Sequence, residues 1–149
     1  MTAANEEQFI FELAGKKIPL YEFTVEENIS DNFEIEVTLA SEESVSPDRA
    51  IGQKGLLTIK SENGDRYFHG IVSSFEKASD KGIYQMYKLQ LVPVLWLSTL
   101  IKNVRIFQNL TTEDIVKKVL KDGDVTSDLF KFNLTKSYTE REYCVQYRE

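Results

Sequence analysis

The composition of the chain is that of a protein that folds around its own core, and it excludes several classes of function. Its 149 residues are 42% hydrophobic and 28% charged, with a formal net charge of -6. Length and composition are typical of one compact domain, while the negative charge argues against general affinity for the phosphate backbone of nucleic acid. One cysteine and one histidine are too few for a disulfide or a structural zinc site. We therefore expect no cofactor, no metal and no nucleic-acid partner.

We expect neither a signal peptide nor a membrane span in this sequence. No charged segment followed by an apolar run opens it, and no stretch approaches the roughly 18 consecutive apolar residues of a transmembrane helix. We expect a protein that is made in the cytoplasm and does not insert into a membrane. Any export then requires a route other than the general secretory one.

Alternating hydrophobicity predicts antiparallel strands in the first forty residues. In NFEIEVTLA, every second residue from Phe33 to Leu39 is apolar, and polar residues occupy the positions between them. The segments QFIFELAG and LYEFTVEE repeat this pattern. The alternating glutamates indicate the solvated face of a sheet rather than catalytic groups.

Two turn signals predict hairpins further along. Asn63 and Gly64 lie between two apolar runs and are typical of a type I′ turn. The segment KASDKG separates the strand around residues 71–75 from a long following strand. Gly70, inside its strand, indicates a bulge or a close backbone approach, as a curved or barrel-like sheet would need.

A proline then predicts the end of the sheet. Pro93 cannot donate a ladder hydrogen bond, so we expect VLWLSTL to turn into a short helical or irregular segment in which Trp96 plugs the barrel. If that ring is fully buried, Trp96→Ala should cost roughly 3 to 5 kcal/mol.

A capped helix follows. Thr111 with Asp114 resembles a capping box, and Leu110 with Ile115 occupies the hydrophobic-staple positions. After the helix, alternation returns over residues 129–134, which is typical of another strand.

No recognisable catalytic motif accompanies these elements. A hydrolytic triad needs a histidine beside a nucleophile, and His69 has neither a G-x-S-x-G elbow nor a partner motif near it. Phosphate-binding and dinucleotide-binding loops are absent. We interpret His69 as a structural imidazole and Cys144 as a core or interface residue. A small-ligand-binding or hydrolytic barrel that uses His69, or a pair of carboxylates, stays open as an alternative.

Short motifs occur along the chain in a definite order, from an F-x-G-x-V strand to a closing CVQYRE run. Their residues are Phe68, Gly70, Val72, Pro93, Leu95, Trp96, Ile106, Phe107, Gln108, Asp114, Ile115, Cys144, Val145, Gln146, Tyr147, Arg148 and Glu149. Taken as a series, they resemble the amino-terminal hub domain of VgrG spike proteins of type VI secretion. That domain is similar to baseplate hub proteins of contractile phage tails. The resemblance covers nearly the whole chain.

The resemblance implies a mainly β fold of the β-rich α+β class. Residues 1–100 would form an antiparallel β-barrel-like hub domain with one or two short helices. Residues 101–149 would form a helix-containing connection and the start of a second barrel-like domain. Because the family's pattern continues past the last motif, we expect the sequence to be an amino-terminal fragment.

The resemblance also implies a structural function without enzymatic activity. In a homotrimer, the hub would adapt the hexameric Hcp tube to a three-fold needle for effector delivery, with other baseplate proteins and effectors as further partners. The protein would assemble on the secretion apparatus and be exported by it. A phage or phage-like tail hub is the alternative assignment.

Overall fold

The computed structural model describes residues 8–148, which divide into two compact units. The first unit ends at Pro93 and the second begins at Val94, somewhat before the boundary predicted at residue 100. The assignment of these units to two hub domains remains a prediction.

The first unit is a curled, antiparallel sheet of seven strands, which confirms the predicted β-rich class. The strands are β1 (Phe9–Leu13), β2 (Lys16–Ile18), β3 (Leu20–Glu26), β4 (Glu34–Ser41), β5 (Lys54–Ile59), β6 (Arg66–Lys77) and β7 (Gln85–Val92). A short 3₁₀ helix, Pro47–Arg49, lies between β4 and β5. The strand order is β2-β1-β5-β6-β7-β4-β3, so β2 and β3 are the edge strands although they are consecutive in the chain.

The core of this unit is the concave face of the sheet. On β4, Ile35, Val37 and Leu39 are almost completely buried, while Glu34 and Glu36 between them are exposed. The alternation predicted from the sequence is therefore confirmed, with the glutamates on the solvated face. Strand β1, next to one edge, approaches β3 at the other edge, since the rings of Phe9 and Phe23 meet edge to face with centroids 5.1 Å apart. The sheet is thus a half-barrel.

Asn63 and Gly64 do join a hairpin, but the predicted turn type is wrong. Ile59 pairs with Arg66, so the connection has six residues, and Gly64 is the one residue in it with a positive φ. A type I′ turn needs positive φ at two consecutive residues. The loop is longer because hydrogen bonds within it, from the Ser61 amide to Asp65 and from the Gly64 amide to Ser61, hold a wider turn.

The close backbone approach predicted at Gly70 is confirmed. Gly70 pairs with Gly55 of β5, and a Cβ added at Gly70 would lie 2.4 Å from the Val92 carbonyl oxygen. A Cβ at Gly55 would lie 2.5 Å from the Leu91 side chain. The β6–β7 register shifts between Val72 and Ser74, which marks a bulge next to the glycine. Two glycines and a bulge therefore bend this part of the sheet.

The second unit contains one ribbon of two strands and two helices. In chain order these are a 3₁₀ helix (Val94–Leu100), β8 (Val104–Leu110), α1 (Thr112–Asp122) and β9 (Arg141–Tyr147). Strands β8 and β9 pair antiparallel with each other. The sheet of the first unit ends at Val92, directly before Pro93, as predicted.

Trp96 is not fully buried. No residue of its 3₁₀ helix is buried, and Trp96 itself is half-buried. With about three residues per turn, this helix spreads its apolar side chains over several faces, and Leu95 and Leu100 are more than half exposed. The condition for a 3 to 5 kcal/mol loss in Trp96→Ala is therefore not met, and we expect a smaller cost.

The predicted helix cap is confirmed. The Thr111 hydroxyl oxygen accepts a hydrogen bond from the Asp114 amide at 3.1 Å, and Ile115 is buried. The strand predicted over residues 129–134 is wrong, because this segment is irregular. The rings of Phe130 and Phe132, two residues apart in this segment, contact each other with centroids 5.5 Å apart instead of facing a neighbouring strand. No helix among residues 8–148 is long and apolar enough to span a bilayer.

The close approach at Gly70 predicts that a methyl group there destabilises the first unit. Gly70→Ala should lower the free energy of unfolding by about 1–3 kcal/mol or more, since the Val92 carbonyl is backbone and yields little. Urea denaturation followed by far-UV circular dichroism measures the change. Ser74→Ala, at an exposed position of the same strand, is the control. A loss below about 0.5 kcal/mol for Gly70→Ala would contradict the packing described.

Candidate functional site

The β8–β9 ribbon brings two of the predicted motifs together. The Ile106–Gln108 triplet lies on β8 and the closing run beginning at Cys144 lies on β9. Ile106 pairs directly with Val145, and Phe107 pairs with Cys144. Residues far apart in the sequence therefore form one surface.

One face of this ribbon is apolar and open to solvent. Alternate residues of both strands point to it, and each is more than half exposed: Val104, Ile106, Tyr143, Val145 and Tyr147. The largest exposed apolar patch of a protein, typically about 300–600 Å² on a monomer, is often functional, and two tyrosines alone supply on the order of 200 Å² here. In the described part of the chain, each strand also has one edge without a partner strand. We call this face the ribbon face.

The opposite face of the ribbon packs within the second unit. Phe107 is buried there, and the Arg105 guanidinium lies 4.9 Å from the centre of its ring. Arg105 donates a hydrogen bond from Nε to the Gln146 side-chain oxygen at 2.7 Å and pairs through Nη1 with Asp122 at the end of α1. Its Nη2 is buried and has no hydrogen-bond partner among residues 8–148. Arg105 therefore connects β8, β9 and α1.

A small cavity lies beside Arg105, and its lining combines apolar side chains with Ser98, Asn103 and Gln146. Its volume is about 240 Å³ and its lining is mainly apolar, with Phe107, Ile115, Val119 and Cys144 among the lining residues. Ligand pockets usually measure roughly 300–1,000 Å³ and combine apolar walls with a few convergent polar groups. This cavity is smaller than that range, which argues against a site for a drug-sized ligand.

The described residues also hold no cluster of three or more metal-ligating side chains. His69, the alternative catalytic candidate, is exposed on β6 and pairs across the sheet with Leu56. A nucleophile and an orienting group close to the imidazole would be needed for a triad. The strand residue opposite His69 is instead an aliphatic one, which offers the imidazole neither group.

The second unit buries little apolar surface of its own. Among the described residues, its buried hydrophobic side chains are Phe107, Ile115 and Val125, whereas the first unit buries sixteen. Because apolar burial is the main source of stability, a small core beside a large exposed face indicates a unit that further contacts would stabilise.

Some of the remaining predicted motif residues are buried in the fold and others are exposed. Phe68 and Val72 are buried in the first unit, and Gly70 lies between them. Thr111 caps α1 by accepting a hydrogen bond from the amide of Asp114, whose side chain is exposed, while Gln108 is exposed on the ribbon face. Gln146 is buried beneath the ribbon, and Arg148 is exposed with a positive φ. Glu149 lies outside the described residues.

Arg105, Asp122, Val104 and Tyr143 were missed by the motif series. The alternation of Val104 and Ile106 with Arg105 and Phe107 is a period-two signal that predicts a strand with one apolar and one mixed face. Nothing local in the sequence pairs Arg105 with Asp122, because that contact depends on where α1 ends.

On α1, Lys117 and Glu113 form an ion pair one helical turn apart. The Lys117 Nζ lies 2.6 Å from Glu113 Oε1, and this hydrogen bond raises the pKa of Lys117 above its usual value. The pair stabilises the exposed side of the helix only slightly, as expected for solvent-exposed charges.

The contacts of Arg105 predict a local loss of stability when its side chain is shortened. Arg105→Ala should lower the opening free energy of the β8 and β9 amides by about 1–3 kcal/mol, since Gln146 and Asp122 each lose a charged partner. Native-state hydrogen exchange measures that quantity for the second unit separately. Lys102→Ala, at an exposed position before β8, is the control. Unchanged protection in Arg105→Ala would show that the arginine does not hold the ribbon to α1.

Comparison with known families gives a match over most of the chain. The model of the family described as "Phage tail baseplate hub (GPD)" matches residues 26–149. The matched region includes most of the first unit and all of the second.

The chain is also similar to curated spike proteins. It is 37% identical over 139 residues to "Type VI secretion system spike protein VgrG1b" of Pseudomonas aeruginosa, covering 92% of this chain and 18% of that protein. It is 38% identical over 125 residues to VgrG1c of the same organism, covering 83% of this chain and 17% of that protein. The chain therefore spans less than a fifth of the length of these relatives.

Solved structures share the fold. A type VI secretion component from E. coli, c3393, superposes with a TM-score of 0.74 at 24% identity, covering 93% of this chain and 39% of that one. The c3393 protein is itself structurally similar to the T4 bacteriophage tail proteins gp27 and gp5. A Francisella PdpA-VgrG complex gives a TM-score of 0.60 at 17% identity, covering 99% of this chain and 24% of that one.

Proposed function

Because this chain belongs to the phage tail baseplate hub (GPD) family, we propose that it forms the amino-terminal hub segment of a VgrG-type spike and works by assembly. The observation that carries this proposal is the ribbon face. Five large apolar side chains lie exposed on one side of β8 and β9, and proteins expose such patches chiefly to bind other surfaces.

In the longer protein, the ribbon face would be covered by further strands of a second β-domain. A two-stranded ribbon is marginally stable in isolation and gains stability when more strands or a helix pack on it. Here α1 protects one face, and the other is free for such strands. The relatives are more than five times longer than the segments that match this chain, which leaves ample sequence to supply them.

The finer part of the proposal is a homotrimer that adapts the hexameric Hcp tube to a three-fold needle. Its support is the resemblance to VgrG hub domains and the names of the relatives as secretion-system spike proteins. Other baseplate proteins and effectors are further candidate partners, and one solved relative is a VgrG bound to PdpA. On this proposal the protein is made in the bacterial cytoplasm and exported by the apparatus.

The proposal assigns no enzymatic activity to this segment. One relative is named "Actin cross-linking toxin VgrG1", from Vibrio cholerae, but the match covers only 11% of that protein. The shared segment is too small a part of the toxin to carry its activity across. An assembly function also agrees with a site formed by apolar side chains instead of convergent polar groups.

A phage or phage-like tail hub is the second candidate function. The family description names phage tail baseplates, and the Shewanella prophage MuSo2 tail protein shares the fold with a TM-score of 0.52. Identity favours the secretion spike, since the curated spike proteins reach 38% while that tail protein is 15% identical.

We predict that one substitution on the ribbon face changes stability little in this segment and much more in the full-length protein. Ile106→Glu should change the stability of the 149-residue segment by less than about 0.5 kcal/mol, because the side chain is exposed there. In the full-length protein the same change should cost about 2–5 kcal/mol, because it would bury a charge beneath the added strands. Hydrogen exchange of the β8 amides measures both. Gln108→Glu, at a polar position on the same face, is the control. Equal, small effects in both proteins would show that nothing covers the ribbon face.

The proposed assembly predicts a trimeric molar mass for the full-length protein by light scattering. Co-sedimentation with Hcp hexamers should then yield complexes of one trimer per terminal hexamer. A trimer that ignores Hcp but binds a phage-type tube protein would favour the tail hub. A monomeric full-length protein would contradict both assignments.

A further inference from the structure

The connection between β3 and β4 presents an isoleucine to solvent. Residues 27–33 join the two strands, and Ile29 at their turn is 98% exposed. Ser30 beside it has a positive φ of 62°, a conformation that side-chain-bearing residues adopt only where the surrounding turn imposes it. We call residues 27–33 the hairpin tip.

Contacts on both sides fix the base of the hairpin tip. Glu27 Oε2 lies 2.5 Å from Arg66 Nη2 of β6, and the Phe33 ring meets Phe68 edge to face at 5.8 Å. Arg66 also lies over the Phe68 ring. A braced turn holds Ile29 outward with little loss of freedom on binding, which favours a contact role for this side chain.

The hairpin tip and the strand ends next to it are also strongly acidic. Glu26 and Glu34 face each other directly across β3 and β4, and Asp31 lies in the turn between them. Like charges placed directly opposite on a sheet destabilise it. Cations from another molecule would relieve this repulsion, so the tip combines an apolar centre with a rim that selects basic partners.

A groove on the second unit has the complementary chemistry. Val125, Phe130 and Phe132 form its apolar lining, and Lys117, Lys121 and Lys131 stand around it. Lys117 is engaged by Glu113. Lys121 and Lys131 are exposed and make no ion pair among the described residues. We call this the lysine-rimmed groove.

We propose that the hairpin tip of one copy of the chain binds in the lysine-rimmed groove of a second copy. Ile29 would contact the phenylalanines, and Glu26, Asp31 and Glu34 would face Lys121 and Lys131. The charges of the two units fit this pairing. Residues 1–93 hold nine basic and sixteen acidic residues, a formal charge of -7, while residues 94–149 hold nine basic and eight acidic residues, or +1.

Such a contact joins two different surfaces and therefore repeats from copy to copy. Contacts of this heterologous kind close into rings when the rotation between copies allows it. The inference rests on the proposed homotrimer, and it names the residues that would hold neighbouring copies together. A second copy is the fitting occupant because both complementary surfaces occur on every chain.

Disulfide trapping tests the contact directly. In a Cys144→Ser background, which removes the native thiol, an Ile29→Cys chain is mixed with a Ser127→Cys chain, since Ser127 lines the lysine-rimmed groove. Mild oxidation should cross-link this pair about tenfold faster than a control pair of Ile29→Cys with Ser74→Cys, because binding raises the effective thiol concentration. The advantage should shrink at about 1 M salt, where charge attraction is screened. Equal rates for the two pairs would overturn the proposal.

Charge reversal provides the second test and separates this proposal from the assembly function. Asp31→Lys with Glu34→Lys should abolish the cross-linking advantage, and Lys121→Glu with Lys131→Glu in the partner chain should restore it. The contact is contradicted if the pair with charges reversed in both chains does not cross-link although each variant keeps its native circular dichroism. If the full-length protein is a trimer whose molar mass is unchanged by Ile29→Asp, the contact is wrong and the assembly function stands. If trapping succeeds but the full-length protein forms no trimer, the contact stands and the homotrimer is wrong.

Discussion

The close packing of β5, β6 and β7 around Leu91 is the constraint on which the first unit depends. Gly55 and Gly70 pair across β5 and β6, and the Leu91 side chain occupies the space that their missing side chains leave. Leu91 is completely buried as a result. With larger residues at these two positions the strands could not approach so closely, the sheet would flatten, and its concave face could not enclose the core. The burial that stabilises the unit therefore depends on this bend.

Much of this unit could be predicted from the sequence, because a strand buried on one face alternates strictly and β4 does so without interruption. The same reasoning failed for residues 129–134, where alternation is present but no strand lies alongside to pair with it among the described residues. The rings of Phe130 and Phe132 pack against each other instead. A period-two pattern indicates which side chains are suited to burial on one face. It does not indicate whether a neighbouring strand is there to pair with. The half-burial of Trp96 has a similar cause, since its environment is set by packing that no local pattern encodes.

The candidate site was less predictable than the fold. The motif series contained Ile106 and the closing run on β9, but their juxtaposition depends on a strand pairing across a helix and a long irregular segment. Arg105 was missed for the same reason. Its partners are at the end of α1 and on β9, so its role becomes visible only when all three elements are placed. The family match then gives the ribbon face a meaning, because an open apolar surface suits a segment of a larger assembly.

The unequal burial in the two units has a consequence for the order of events during synthesis. The first unit buries sixteen apolar side chains among its described residues, a core large enough for it to become compact once it has left the ribosome. The second unit has three buried apolar residues among those described and an open ribbon face, so its own residues supply much less of the apolar burial that stabilises a fold. Domains generally fold as units from the amino terminus at roughly 5–20 residues per second, and apolar surface left open in that interval promotes aggregation. The ribbon face is thus open apolar surface from the moment the second unit is made, and the protein is most exposed to aggregation for as long as that face stays uncovered.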